Sequence, residues 1–181
     1  MSICHFYKVD IDNIEAKFTS DELHRSCLAI PFLEREGDRK LCIIGQNPSN
    51  ANEEVADKTL HFLERFVFET LPHYTRITML NLFSRVDTDK SKTTDLLRLE
   101  CEREYRRNIK EHNEFLIVFG LIKNQGAYNF KKKALSLKKQ LANKNVYKID
   151  IGTAYAPHPG NKKIYYGNYC FGVTNYDFNE I

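Results

Sequence analysis

The chain has 181 residues, of which 42% are hydrophobic, 12% aromatic and 28% charged, with a formal net charge of +3. A chain of that size buries a core without disulfide or metal staples, and no run approaches the roughly twenty apolar residues needed to span a bilayer, so a membrane protein is excluded. One domain spanning residues 1–181 is expected. The N-terminal "MSICHFYKVDIDN" carries early acids and lacks the basic-then-apolar layout of a secretory signal, so a cytoplasmic location is expected.

In chain order, "SCLAIPFLE" (26–34) and "KLCIIG" (40–45) flank "REGD", whose Gly37 predicts a turn. The two runs read as an N-terminal hairpin feeding a core strand. "DKTLHFLERFVFETL" (57–71) puts Leu60, Leu63, Val67 and Leu71 on one helical face, with Asp57 placed to cap it. "RITMLNLF" (76–83) is an apolar strand interrupted by Asn81. "TDLLRLECEREYRRNIKEH" (94–112) predicts a surface helix with a narrow stripe of Leu97, Cys101, Tyr105 and Ile109. "FLIVFG" (115–120) reads as the clearest buried strand. A helix carrying Phe130, Ala134, Leu137 and Leu141 follows, and then a strand "NVYKIDIG" (145–152).

Strands alternating with helices predict an α/β fold, a three-layer sandwich around a mainly parallel central sheet of about four strands. Chemistry in such sheets belongs in the loops past the strand carboxyl ends. Here these are "GQNPSN" (45–50), "NLFSR" (81–85), "GLIKNQG" (120–126) and "TAYAPHPGNKK" (153–163). Asn47 lies between Gln46 and Pro48, in a turn that the proline rigidifies. Asn81 is an amide at an apolar strand end, where burial requires a hydrogen-bond partner. His158 is held between Pro157 and Pro159. The other histidines, His5, His24, His61, His73 and His112, read as structural.

Several chemistries find no support. Neither a Walker loop nor a GxGxxG occurs, the cysteines and histidines lack metal spacing, and no GxSxG elbow is present. No cofactor and no metal are expected. The five scattered cysteines, Cys4, Cys27, Cys42, Cys101 and Cys170, read as buried reduced thiols. Between Lys123 and Lys148 there are eight lysines and no acid, a basic face that either attracts phosphates or is simply solvated. Amides, main-chain donors and one held histidine suit a reaction whose leaving group is a stabilised anion, or recognition of a base-like heterocycle without catalysis.

"GQNPSN", "MLNLF", "FLIVFG" and "PHPG", in that order, resemble the signatures of the uracil-DNA glycosylase superfamily. At closer range residues 24 to 160 are similar to a family of bacterial and phage proteins known only as a domain of unknown function, with a Leu-Asn-Pro-Ser loop, Asp-Pro-Thr, Asn-Leu-Phe and a final His-Pro. The distant resemblance implies a glycosylase-like fold and metal-independent hydrolysis of an N-glycosidic bond in DNA or in a nucleotide. It gives Asn47 the positioning of the attacking water and His158 the hydrogen bond to the departing base. Asn81 would read the base edge, in a substrate pocket with Gly45, Gln46, Pro48 and Ser49. Asp57 and Thr59 match the Asp-Pro-Thr positions, as a helix cap or as pocket lining opposite Asn47.

The chain departs from the superfamily where a stacking aromatic is expected, reading "DKTLHF" there; Phe83 or Phe62 are the candidate substitutes. Gly160 stands where the superfamily has serine. Arg85, Lys162 and Lys163 are candidate phosphate contacts, and Tyr165 and Tyr166 either serve as a wedge or begin a surface strand. The resemblance implies a nucleic acid or a nucleotide as the partner. The alternative function is a non-catalytic module binding either one with the same pocket.

Overall fold

The computed structural model describes residues 3–86, 95–123, 127–167, 170–178 and 180–181. A short 3₁₀ turn, Ile11–Asn13, leads into β1 (Glu15–Phe18), β2 (Arg25–Pro31) and β3 (Lys40–Gly45). Helix α1 (Lys58–Thr70), β4 (Arg76–Asn81), α2 (Leu99–Glu111) and β5 (Glu114–Ile117) follow. The chain closes with α3 (Phe130–Gln140), β6 (Asn145–Ile149), α4 (Lys162–Tyr165) and β7 (Val173–Asn175).

All seven strands form one sheet in the order β1-β2-β4-β3-β5-β6-β7. The sheet is mixed. β4, β3, β5 and β6 run parallel to one another, whereas β1 with β2, β2 with β4 and β6 with β7 are antiparallel. This corrects the expectation of a mainly parallel sheet of about four strands. Three strands flank the parallel block, and two of them, β1 and β7, have no fully buried position, so neither shows the apolar run that betrays an interior strand.

The expected hairpin between 26–34 and 40–45 is also overturned. β2 pairs with β4, which lies between β2 and β3, and the true N-terminal hairpin is β1 with β2. A Gly37 turn, with φ of +112°, reverses the chain but does not fix which neighbour a buried strand takes. β4 satisfies both, running parallel to β3 through the α1 crossover and antiparallel to β2.

Alternate residues of the central strands face two separate cores. Leu41, Ile43, Leu116 and Val118 pack with Leu60, Leu63, Phe66 and Val67 of α1. Cys42, Ile44, Phe115 and Ile117 face the other way, toward Ile109 of α2 and Ala134 and Leu137 of α3. Helices therefore cover both faces, and each buried aliphatic side chain contributes roughly 1.5–3 kcal/mol. α1 forms as the pattern predicts: Asp57 caps it, accepting from Leu60 N at 2.7 Å. α2 starts at Leu99, several residues later than its expected beginning at Thr94, which lies outside the described residues. Cys27, Cys42 and Cys101 are buried, but Cys4 and Cys170 are exposed, which corrects the uniform reading of the thiols. No helix among the described residues is long and apolar enough to cross a membrane.

A candidate active site at the carboxyl ends of the parallel strands

The chain passes from β3 through α1 to β4 on one side, then crosses by α2 to β5 on the other side of β3. The loops after β3 and β5 therefore diverge to opposite faces, which opens a crevice at the strand carboxyl ends. A cleft of about 560 Å³ lies there. Each of the four parallel strands delivers residues to it: Gly45 ending β3 with Gln46 to Ser49 after it, Asn81 ending β4, Phe119 and Gly120 after β5, and His158 after β6.

Main-chain and side-chain bonds tie these loops together. Gln46 Nε2 donates to Phe119 O at 2.6 Å, and Leu82 N and Phe83 N donate to Gly45 O and Gln46 O at 3.0 and 3.1 Å. Gly120 N donates to Ala156 O at 2.8 Å, which fixes the β5 loop against the histidine loop. Two glycines permit close approach. A Cβ at Gly45 would meet Asn81 Nδ2 at 2.9 Å, and one at Gly120, where φ is +72°, would meet the His158 Cβ at 3.0 Å.

Asn47 is unusual within this frame. Both its amide nitrogen and its amide oxygen are buried and have no hydrogen-bond partner among the described residues. Leaving such groups unmet costs on the order of 1–3 kcal/mol, an arrangement that persists where a ligand or water completes it. His158 is exposed at the cleft, and its Nδ1 accepts from Gly160 N at 2.9 Å. In the neutral imidazole the proton therefore sits on Nε2, which makes that nitrogen a donor. Pro157 and Pro159 on either side are buried and anchor the ring's backbone. Asp57 and Thr59 both line the cleft, and Asp57 is at the same time the α1 cap. The two readings of Asp57 are thus compatible.

Other expected residues lie elsewhere. Phe83 is 3% exposed and packs edge-on against Tyr128 and Phe130, with ring centroids at 4.9 and 5.2 Å, in the core on the α2 and α3 side. Phe62 stacks on Phe66. Neither lines the cleft, whereas Phe119, the last apolar residue before Gly120, does. Arg85 lies 3.9 Å from Asp95 and is not part of the cleft wall. Lys162 and Lys163 begin the exposed helix α4, capped by Asn161, so "NKKIYY" is helical and not a surface strand. Tyr165 and Tyr166 are exposed there. In the β5 loop, Leu121 and Lys123 line the cleft, while Asn124, Gln125 and Gly126 lie outside the described residues.

The residue that sequence reasoning missed is Arg25. It opens β2, is 4% exposed, and forms part of the cleft wall. Its Nη1 donates to Ala51 O at 2.8 Å and to Ser49 O at 3.4 Å, and its Nη2 reaches Asn81 Oδ1 at 3.5 Å. Asn81 Oδ1 is thereby turned toward a cation, leaving Nδ2 as the group on the other arm of its amide. Desolvation pulls the Arg25 pKa down to about 10, against the attraction of Asp57, so the guanidinium stays charged near neutrality. The available signal was a cation placed one residue before the apolar run "CLAI", with only Ser26 between them.

A family model described as "Protein of unknown function (DUF1643)" matches residues 32–159. That span holds every cleft residue named above except Arg25. No curated protein and no solved structure gives a match.

Proposed function

The chain thus belongs to the DUF1643 family, and from its cleft we propose that it is a metal-independent hydrolase of an N-glycosidic bond to a nucleobase, in DNA or in a nucleotide. The observation that carries this reading is the pair of buried amide atoms of Asn47 that have no partner among the described residues, in a cleft that His158 also lines. An amide whose donor and acceptor both await a partner suits a water molecule, which needs one of each. The distant resemblance of the loops to uracil-DNA glycosylases supports the same assignment.

In this scheme the base departs with the bonding electrons of its C1′–N bond, and an oxocarbenium-like sugar is left. Water held by Asn47 adds to C1′ and gives up a proton, and the base anion is ultimately protonated, so the products are a sugar hydroxyl and a neutral base. Asn47 cannot act as a base and only orients the water. His158 Nε2–H donates to the base as negative charge develops on it, an electrostatic contribution of several kcal/mol when the donor is fixed in advance. The Gly160 N–H and the flanking prolines supply that fixation. Asn81, with its oxygen engaged by Arg25, offers Nδ2–H to an acceptor on the base edge. Phe119 supplies an apolar wall.

The test is incubation with oligonucleotides and nucleotides bearing uracil and modified pyrimidines or purines, scored by mass spectrometry for free base. The expected result is release that disappears in a folded His158→Ala protein. Tight binding with no base released from any substrate would instead favour a non-catalytic binding module.

A further inference from the structure

Arg25 poses an electrostatic problem that the hydrolysis scheme does not solve. All of its hydrogen bonds among the described residues go to neutral oxygens, and two of the three are long. Its Nε is buried and has no hydrogen-bond partner among the described residues. Burying a cation costs several kcal/mol unless an anion or a full set of acceptors offsets it. Asp57 in the same cleft attracts the guanidinium, but no hydrogen bond joins the two among the described residues, and one of its carboxylate oxygens accepts from Leu60 N at the start of α1. The unfilled donor positions of Arg25 therefore have room for a directly hydrogen-bonded anion.

Two further features point the same way. Lys123 lines the cleft from the β5 loop, and Thr59 and Leu60 line it from the first turn of the thirteen-residue α1, whose dipole is positive at that end and is met there by the single carboxylate of the cap Asp57. The volume of about 560 Å³ falls within the roughly 300–1,000 Å³ typical of small-molecule sites. We propose that the cleft takes a mononucleotide whose terminal phosphate sits against Arg25, with Lys123 and the first turn of α1 completing the anion seat. This rests on the reading of the cleft as nucleotide-directed and names the substrate class. A terminal phosphate is required because Arg25 is recessed. The diesters of a polynucleotide run along a surface and do not reach such a cation.

Isothermal titration calorimetry with uridine and guanosine 5′-monophosphates, the matching nucleosides, inorganic phosphate and an oligonucleotide lacking terminal phosphates tests the seat. At least one monophosphate binds about tenfold or more tightly than its nucleoside, as expected of charge-assisted bonds to a buried guanidinium. Arg25→Gln abolishes that advantage, Arg25→Lys recovers part of it, and the exposed Lys123→Gln, which leaves the fold intact, weakens the monophosphate about threefold or more without touching the nucleoside. Equal affinity for nucleoside and monophosphate, indifference of monophosphate binding to both Arg25→Lys and Lys123→Gln, or preference for the unphosphorylated oligonucleotide would overturn the seat. A monophosphate held by Arg25 and Lys123 but never hydrolysed removes the proposed chemistry and leaves the seat. Equal hydrolysis of nucleoside and monophosphate does the reverse.

Discussion

Gly120 and His158 are in backbone-to-side-chain contact so close that a single methyl group on the glycine would meet the His158 Cβ at 3.0 Å. The strand ending of β5 thus sets the position of the histidine, 38 residues later in the sequence, at the mouth of the cleft. Gly120→Ala combines that clash with a φ of +72°, so it should destabilise the protein by about 1–3 kcal/mol and displace His158. Urea unfolding measures the first effect. Turnover per folded molecule, falling together with it, measures the second.

Asn47→Ala should separate stability from activity. The substitution removes two buried polar atoms that have no partner among the described residues, so stability is unchanged or rises by about 1 kcal/mol, while base release falls at least about 100-fold. A large loss of stability would mean that the amide is a structural turn element.

Phe83→Leu discriminates between the two positions considered for this ring. Because Phe83 lies in the aromatic cluster with Tyr128 and Phe130, the change should cost on the order of 1 kcal/mol of stability and leave kcat/KM unaltered. A ring that stacked on the substrate would instead raise KM.

The buried pair His5 and Glu64 predicts a pH dependence of stability. His5 Nδ1 is 2.6 Å from Glu64 Oε1, and Nε2 is 2.9 Å from Asn52 O, so both ring nitrogens face acceptors and only the imidazolium satisfies both. Desolvation opposes the charge, but the Glu64 hydrogen bond and charge, with the Asn52 carbonyl, outweigh it and raise the pKa. A raised folded pKa stabilises fully below the unfolded value near 6.5 and loses that contribution as pH rises through the folded value. Urea titrations from about pH 6 to about pH 9 should show wild-type stability declining relative to His5→Gln, which cannot titrate. A constant difference would contradict the assignment.

Much of the candidate site could be read in advance because its loops follow continuous apolar runs and are punctuated by glycine and proline. Gly45, Gly120 and the prolines around His158 mark strand ends by chemistry that is local to the chain. Helix α1 was equally legible, since Asp57 and the spacing of Leu60, Leu63 and Val67 are local signals too. What escaped depends on contacts distant in sequence. β1 and β7 are short edge strands with half-exposed faces, and the insertion of β4 between β2 and β3 is a choice of partner that no window of sequence records. Phe83 is a candidate for the stacking ring that "DKTLHF" lacks, yet two residues past the end of β4 its side chain turns into the core on the α2 and α3 side. Arg25 escaped because its partners, Ser49, Ala51 and Asn81, are brought to it only by the completed sheet.

The central claim is that water held at Asn47 cleaves a base from its sugar, and the most direct measurement is turnover in ¹⁸O-labelled water with an early quench. The account predicts one heavy oxygen in the released sugar and none in the base, with both products absent in His158→Ala. A heavy oxygen in the base, or no release from any nucleotide or oligonucleotide that the protein binds, would contradict it.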